Sequence, residues 1–197
     1  MSNYPEYPQL AAQLIHARRT TLPKRLIAPG PNSEELQQIL EAAAAAPDHD
    51  QLLPWRFVMV PATARAALGQ AFADALLERD PAAMPDQIEQ AREKAFRAPV
   101  LMLAVVDSQC GDASIDLHER TVSLGCAIQN MLLMATALGF GSALTSGKAL
   151  KSDALRDLFG LASTELAICF VSVGSVSSTR PAKARPATSR YVSTLNF

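Results

Sequence analysis

The chain has 197 residues, 49% of them hydrophobic and 19% charged, and a formal net charge of −1. That length suits one complete core, so a single unit over residues 1–197 is expected, and the near-zero charge offers no broad attraction to nucleic acid. The opening MSNYPEYPQL lacks the basic and apolar regions of a secretory signal, and three cysteines (Cys110, Cys126, Cys169) do not make a disulfide framework, so a cytoplasmic protein is expected.

In chain order, the first segment places Leu10, Ala11, Leu14 and Ile15 on one helical face and ends on Arg18 and Arg19, cations suited to a helix C-terminus. A second helix follows Pro31, with Asn32 as cap, Glu35 as its reciprocal partner and Leu36, Ile39, Leu40 and Ala43 as its apolar stripe. Pro47 ends that helix, and Pro54-Trp55 leads into a short strand, Arg56 to Val60, stopped by Pro61. Helical stretches are predicted over Thr63 to Leu77 and Pro85 to Phe96. The run PVLMLAVV, Pro99 to Val106, then has the length and continuous apolarity of a strand covered on both faces. A long helix from about Ser114 to Leu138 stops at Gly139, leaving Gly141 to Leu144 as a short strand. Ser152 caps a helix that Gly160 stops, and LAICFVSV, Leu166 to Val173, is the third buried strand. From about residue 175 the chain turns polar and reads as an extended arm.

The apolar stretch Leu124 to Leu138 is shorter than the roughly 20 residues of a bilayer crossing, so no membrane is expected. A helix apolar nearly all round needs more cover than a small domain supplies, and a subunit interface would supply it. Strands separated by helices of unequal length predict an α+β fold with helices on both faces of a sheet.

Several familiar sites are excluded. Gly141 to Gly147-Lys148 has one residue too many between its glycines for a P-loop, and Ala149 stands where a magnesium-binding hydroxyl belongs. His118-Glu119 opens a zinc-peptidase motif, but Val122 occupies the second histidine position, so no metal site is expected. Neither G-x-S-x-G nor a strand-borne G-x-G-x-x-G occurs.

Three separated segments together resemble the FMN-dependent nitroreductase family, most closely its compact bacterial NAD(P)H nitroreductase-like members. Ala17-Arg18-Arg19-Thr20 resembles the family's Arg-Arg-Ser element at the end of its first helix. The stretch from Ala46-Pro47-Asp48-His49 through Gln51 to Pro54-Trp55-Arg56-Phe57 is similar to its A-P-[S/D]-[S/H]-x-x-x-Q-P-W-x-F signature. Gly139-Phe140-Gly141 through Ser146-Gly147 is similar to its G-x-G turn and flavin-edge strand, and Lys183-x-Arg185 to a basic pair near its C-terminus. Two departures stand out: Leu53 replaces the usual glutamine before Pro-Trp, and Gln51 replaces an asparagine or serine.

The resemblance implies a three-layer α/β/α fold with a mixed central sheet flanked by helices, in an intertwined homodimer with FMN at the interface. It implies that Arg18, Arg19 and Thr20 hold the ribityl phosphate with Lys183 and Arg185, a donor set that suits a dianion. Pro47, Asp48, His49 and Gln51 would reach the flavin from the other subunit. Leu144, Thr145, Ser146 and Gly147 would run along the ring edge, their backbone N–H groups turned to N5 and O4. The implied activity is ping-pong electron transfer from NADH or NADPH to a nitroaromatic, quinone or similar small-molecule acceptor, the cofactor supplying the chemistry, so no catalytic side chain is expected. Other readings of the same resemblance are reductive dehalogenation, flavin fragmentation, or a non-catalytic flavin-binding dimer.

Overall fold

Every residue from Val100 to Val106 is buried, and successive side chains enter two different cores. Val100, Met102, Ala104 and Val106 pack with Ile39, Leu124, Ile128 and Met131, whereas Leu101, Leu103 and Val105 pack with Leu68, Leu155 and Phe170. A strand whose alternate side chains are both covered lies between two helical layers. The computed structural model describes residues 6–179, 181 and 184–195. Its elements are α1 (Tyr7–Ala17), β1 (Leu26–Ile27), α2 (Ser33–Ala43), β2 (Trp55–Met59), α3 (Arg65–Arg79), α4 (Pro85–Glu93), β3 (Val100–Asp107), α5 (Leu117–Ala137), β4 (Gly141–Thr145), α6 (Asp153–Leu158) and β5 (Glu165–Val176). α2 and α5 cover one face of the sheet, and α3 and α6 the other.

β5 is the central strand. β3 runs along one of its edges and β4 along the other, since both pair with residues 170–173; β2 lies beyond β3, and β1 pairs with the end of β5. All these ladders are antiparallel, and parallel pairing among the described residues is confined to a bridge between Thr20 and Ser142. β5 carries a bulge: Ala104 faces Cys169 while Val105 faces Ala167, so Ile168 is the extra residue and shares its face with Cys169.

Local chemistry accounts for the element ends. Asn32 and Glu35 form the reciprocal cap of α2, and the Ser152 hydroxyl accepts from the Leu155 N–H at the start of α6. α5 begins at Leu117, three residues later than expected, because the Asp116 carboxylate caps the N–H groups of His118 and Glu119. Gly139 ends it with φ +86°. The fully buried Arg120 donates to the carbonyls of Asp107, Cys110, Asp112 and Ile115, pinning the loop that enters α5. β5 continues to Val176, past the expected start of the arm, because Ser175 and Ser177 donate to the carbonyls of Pro29 and Arg25. β1 itself has only two residues, too short for any periodicity to show.

The buried residues of α5 form one stripe from Arg120 through Leu124, Ile128 and Met131 to Ala135, while Val122 and Gly125 on its other side are uncovered. The expected apolar face of α1 is uncovered too: Leu10 is 55% exposed and Ile15 53%. Tyr191, Val192 and Leu195 of the arm are likewise exposed. No helix among the described residues is long and apolar enough to cross a membrane.

Candidate functional site

The chain leaves α1 at Arg18, which turns to an extended conformation (ψ 124°) and closes the helix through its own N–H on the Leu14 carbonyl. The next residues run beside β4: Thr20 bridges to Ser142, and the Thr21 N–H donates to the Ser142 carbonyl at 2.8 Å. The arm returns to the same place, where Arg185 Nη2 donates to the Arg18 carbonyl at 3.3 Å. Arg18, Arg19, Thr20 and Arg185 are therefore gathered at one end of β4. Lys183, expected with them, lies outside the described residues.

Strand alternation divides the four residues expected at the ring edge. Ala143 and Thr145 stand opposite Ser172 and Phe170, whereas Ser142 and Leu144 stand opposite Val173 and Val171, which belong to the α5 core. Thr145, Ser146 and Gly147 accordingly line a cavity of about 540 Å³, and Leu144 does not; its half-exposed side chain points to the other face. Phe72, Leu76 and Arg79 of α3, Gln87 of α4, and Lys94 and Arg97 just after it form the opposite wall, with Phe170 and Ser172 on the sheet side. Among the described residues no aspartate or glutamate lines this cavity. The Ser172 hydroxyl is buried against it without a hydrogen-bond partner, and a Cβ added at Gly147 would meet nothing within 4 Å.

Pro47, Asp48 and His49 line a different cavity, of about 370 Å³, with Leu52, Glu119 and Ser123. Its loop contains three non-glycine residues in the left-handed region, Asp50 (φ 49°), Gln51 (φ 56°) and Leu53 (φ 48°), each costing roughly 1–3 kcal/mol. Asp48 holds it: one carboxylate oxygen accepts the Leu53 N–H at 2.6 Å, and the other accepts from the Ser123 hydroxyl at 3.2 Å, which in turn accepts from Trp55 Nε1 at 2.9 Å. His49 Nδ1 lies 2.6 Å from a Glu119 oxygen, and that hydrogen bond, with the Glu119 charge, raises the imidazole pKa above its ordinary value. Gln51 is exposed and lines neither cavity.

One chain thus gathers Arg18–Thr20 and Arg185 at one end of a short strand and Thr145–Gly147 at the other, and keeps Pro47, Asp48 and His49 in a second cavity that shares no lining residue with the Thr145–Gly147 cavity. Sequence reasoning missed Glu119 and Ser123, although their one-turn spacing puts both on the same side of α5. It also missed Arg79, Lys94, Arg97 and Lys148, cations from three separate elements that carry no motif.

Comparison with known proteins places the chain in a family. The family model described as Nitroreductase family matches residues 15–175, most of the chain. A Haemophilus influenzae protein with the provisional name NAD(P)H nitroreductase is 33% identical over 165 residues, covering 84% of this chain and 88% of that protein. The crystal structure of a nitroreductase-like family protein from Bacillus cereus superposes with a TM-score of 0.80 at 18% identity, covering 99% of this chain and 98% of that one. A nitroreductase with bound FMN from Bacteroides fragilis gives 0.71 at 20% identity, covering 94% and 98%. With the family model spanning the segment from α1 to β5, and the relative matching over most of both lengths, the chain belongs to the nitroreductase family of oxidoreductases.

Proposed function

We propose that the protein is an FMN-dependent oxidoreductase that takes electrons from NADH or NADPH and passes them to a nitroaromatic, quinone or similar acceptor, donor and acceptor using one site in turn. The observation that carries this reading is the Thr145–Gly147 cavity, with its unpartnered Ser172 hydroxyl and no carboxylate among its described lining residues, at one end of the strand whose other end meets the cations that follow α1. These residues fit the cofactor. An isoalloxazine is flat and rich in acceptors, and a cavity with an aromatic and apolar wall, an unpartnered Ser172 hydroxyl and no carboxylate among its described lining residues suits it. Arg18, Arg19, Thr20 and Arg185, with Lys183, would hold the phosphate, and Thr145, Ser146 and Gly147 the ring edge. When bound, FMN supplies hydride acceptance and donation. The chain's own part is to position the ring and to keep positive charge near it, and no side chain is assigned a proton transfer.

The site is completed, in this reading, by Pro47, Asp48, His49 and Gln51 of a second subunit. The uncovered apolar residues of α1, α5 and the arm support a homodimer that joins the two halves. Leu53 does not weaken the loop, because Asp48 grips the backbone N–H at that position, which any residue except proline supplies.

The test is reconstitution with FMN or riboflavin, followed by NADH or NADPH without oxygen. The expected result is twin flavin bands, bleaching by a nicotinamide and recovery on adding a nitroaromatic. Losing one charged hydrogen bond weakens binding by roughly 10–100-fold, so Arg18→Ala should lower FMN affinity by that factor and leave riboflavin affinity nearly unchanged. Failure to take up FMN would overturn the reading.

A further inference from the structure

Four cations, Arg79, Lys94, Arg97 and Lys148, line the larger cavity without a carboxylate among its described residues, in a chain where acidic residues outnumber basic ones 19 to 18. The segregation is local and is not explained by the FMN phosphate, since none of Arg18, Arg19, Thr20 and Arg185 lines this cavity. Arg79, Lys94 and Lys148 are exposed and Arg97 is half-buried, so the four repel one another weakly through solvent, and an anion bound among them finds attraction from several sides. Beside the cations the wall is apolar and aromatic: Phe72 meets Phe170 edge to face at 5.6 Å. The Ser172 hydroxyl, on a residue only 1% exposed, adds an unused polar group at the sheet side of the same space.

We propose that the acceptor this protein reduces is a flat aromatic molecule bearing an oxyanion, a carboxylate or its equivalent, recognised by the cavity cations with Arg97 and Lys148 foremost. Arg97 is half-buried at the foot of the α4 wall, and Lys148 follows directly on Gly147, so the two approach the cavity from opposite sides. The aromatic body rests against the apolar wall, and the charged group distinguishes the acidic acceptor from neutral compounds of the same shape. The inference rests on the FMN reading above and names the substrate class of that same site.

The test compares 4-nitrobenzoate with 4-nitrobenzamide, which match in shape and differ in charge. Their binding to the FMN-loaded protein is followed by perturbation of the flavin absorption bands, and KM is measured for both. The acid should bind about tenfold more tightly at low ionic strength, the size of a single charged contact, and added salt should erode the difference. Arg97→Gln and Lys148→Gln should each bring the ratio towards one without changing affinity for the amide. Lys151→Gln, in the same turn as Lys148 but outside the cavity, should leave the ratio intact. A ratio near one in the flavin-loaded wild type overturns the proposal. Variants that alter only the preference for NADPH over NADH also overturn it, because they assign the cations to the donor's extra phosphate. If the protein takes up no flavin, the FMN reading falls by itself. Calorimetric titration of the flavin-free chain with the two compounds then decides the anion preference separately.

Discussion

Asp48 engages both carboxylate oxygens inside its own chain, one on the Leu53 N–H and one on Ser123, so it acts on the site by fixing the shape of the 47–53 loop. His49, next in sequence, is tied to Glu119, with Asp50 and Asp112 adding smaller negative influences that also favour its protonated form. A histidine whose folded pKa is raised contributes stability that is fully present below about 6.5, the ordinary value, and is lost as pH rises through the higher folded value. Glu119→Gln should therefore bring the His49 pKa back towards 6.5 in an NMR titration of its ring protons. It should also flatten the decline of stability as pH rises above about 6.5, read from urea melts across that range; an unmoved His49 titration would show that the pair does not hold in solution. At this scale the sequence named His49 but not its partner, because the two are 70 residues apart and only the packing of the loop on α5 joins them. Leu144 shows the complementary limit. Its motif position was legible, but which side of β4 it occupies depends on the register with β5.

The elements were legible wherever one residue type decides an end. The Asn32–Glu35 cap, the Ser152 cap and Gly139 did so, and the apolar run of β3 announced a strand covered on both sides. β5 was harder. Simple alternation groups Ile168 with Phe170 and Ser172, but the bulge places Ile168 with Cys169 on the opposite face, and a sequence pattern does not reveal where a strand holds an extra residue. Its extension beyond Gly174 was also hidden, because the reason lies in a close approach: a Cβ at Gly174 would stand 2.5 Å from Pro99 Cδ and 3.2 Å from the Ile27 carbonyl oxygen. Gly174→Ala should accordingly destabilise the protein by about 1–3 kcal/mol, the usual cost of overpacking, measured by urea unfolding. A stability equal to that of the parent would mean that the β1–β5 contact is looser than the structure has it.

Among the described residues, exposed apolar side chains lie on α1, the outer side of α5 and the arm, as well as singly at Leu53, Met84 and Phe96, and the proposed site is divided between two cavities. Gly125 tests whether these facts share a cause. It lies on the uncovered side of α5 with open space around it, so within one chain a large side chain is accommodated, and replacing a mid-helix glycine raises helix propensity. Gly125→Arg should keep or slightly raise the stability of the chain while halving its mass by light scattering and lowering its affinity for FMN. A variant that remains dimeric with full flavin would place the interface elsewhere. The division of the site has a genetic consequence. In the proposed dimer, a variant damaged only in the 47–51 loop and another damaged only in Thr145–Gly147 are each inactive alone, since every site in either homodimer contains one broken half. Mixed dimers of the two hold both lesions in one site and none in the other, so the two mutants complement each other and regain up to a quarter of the normal number of working sites in a random mixture.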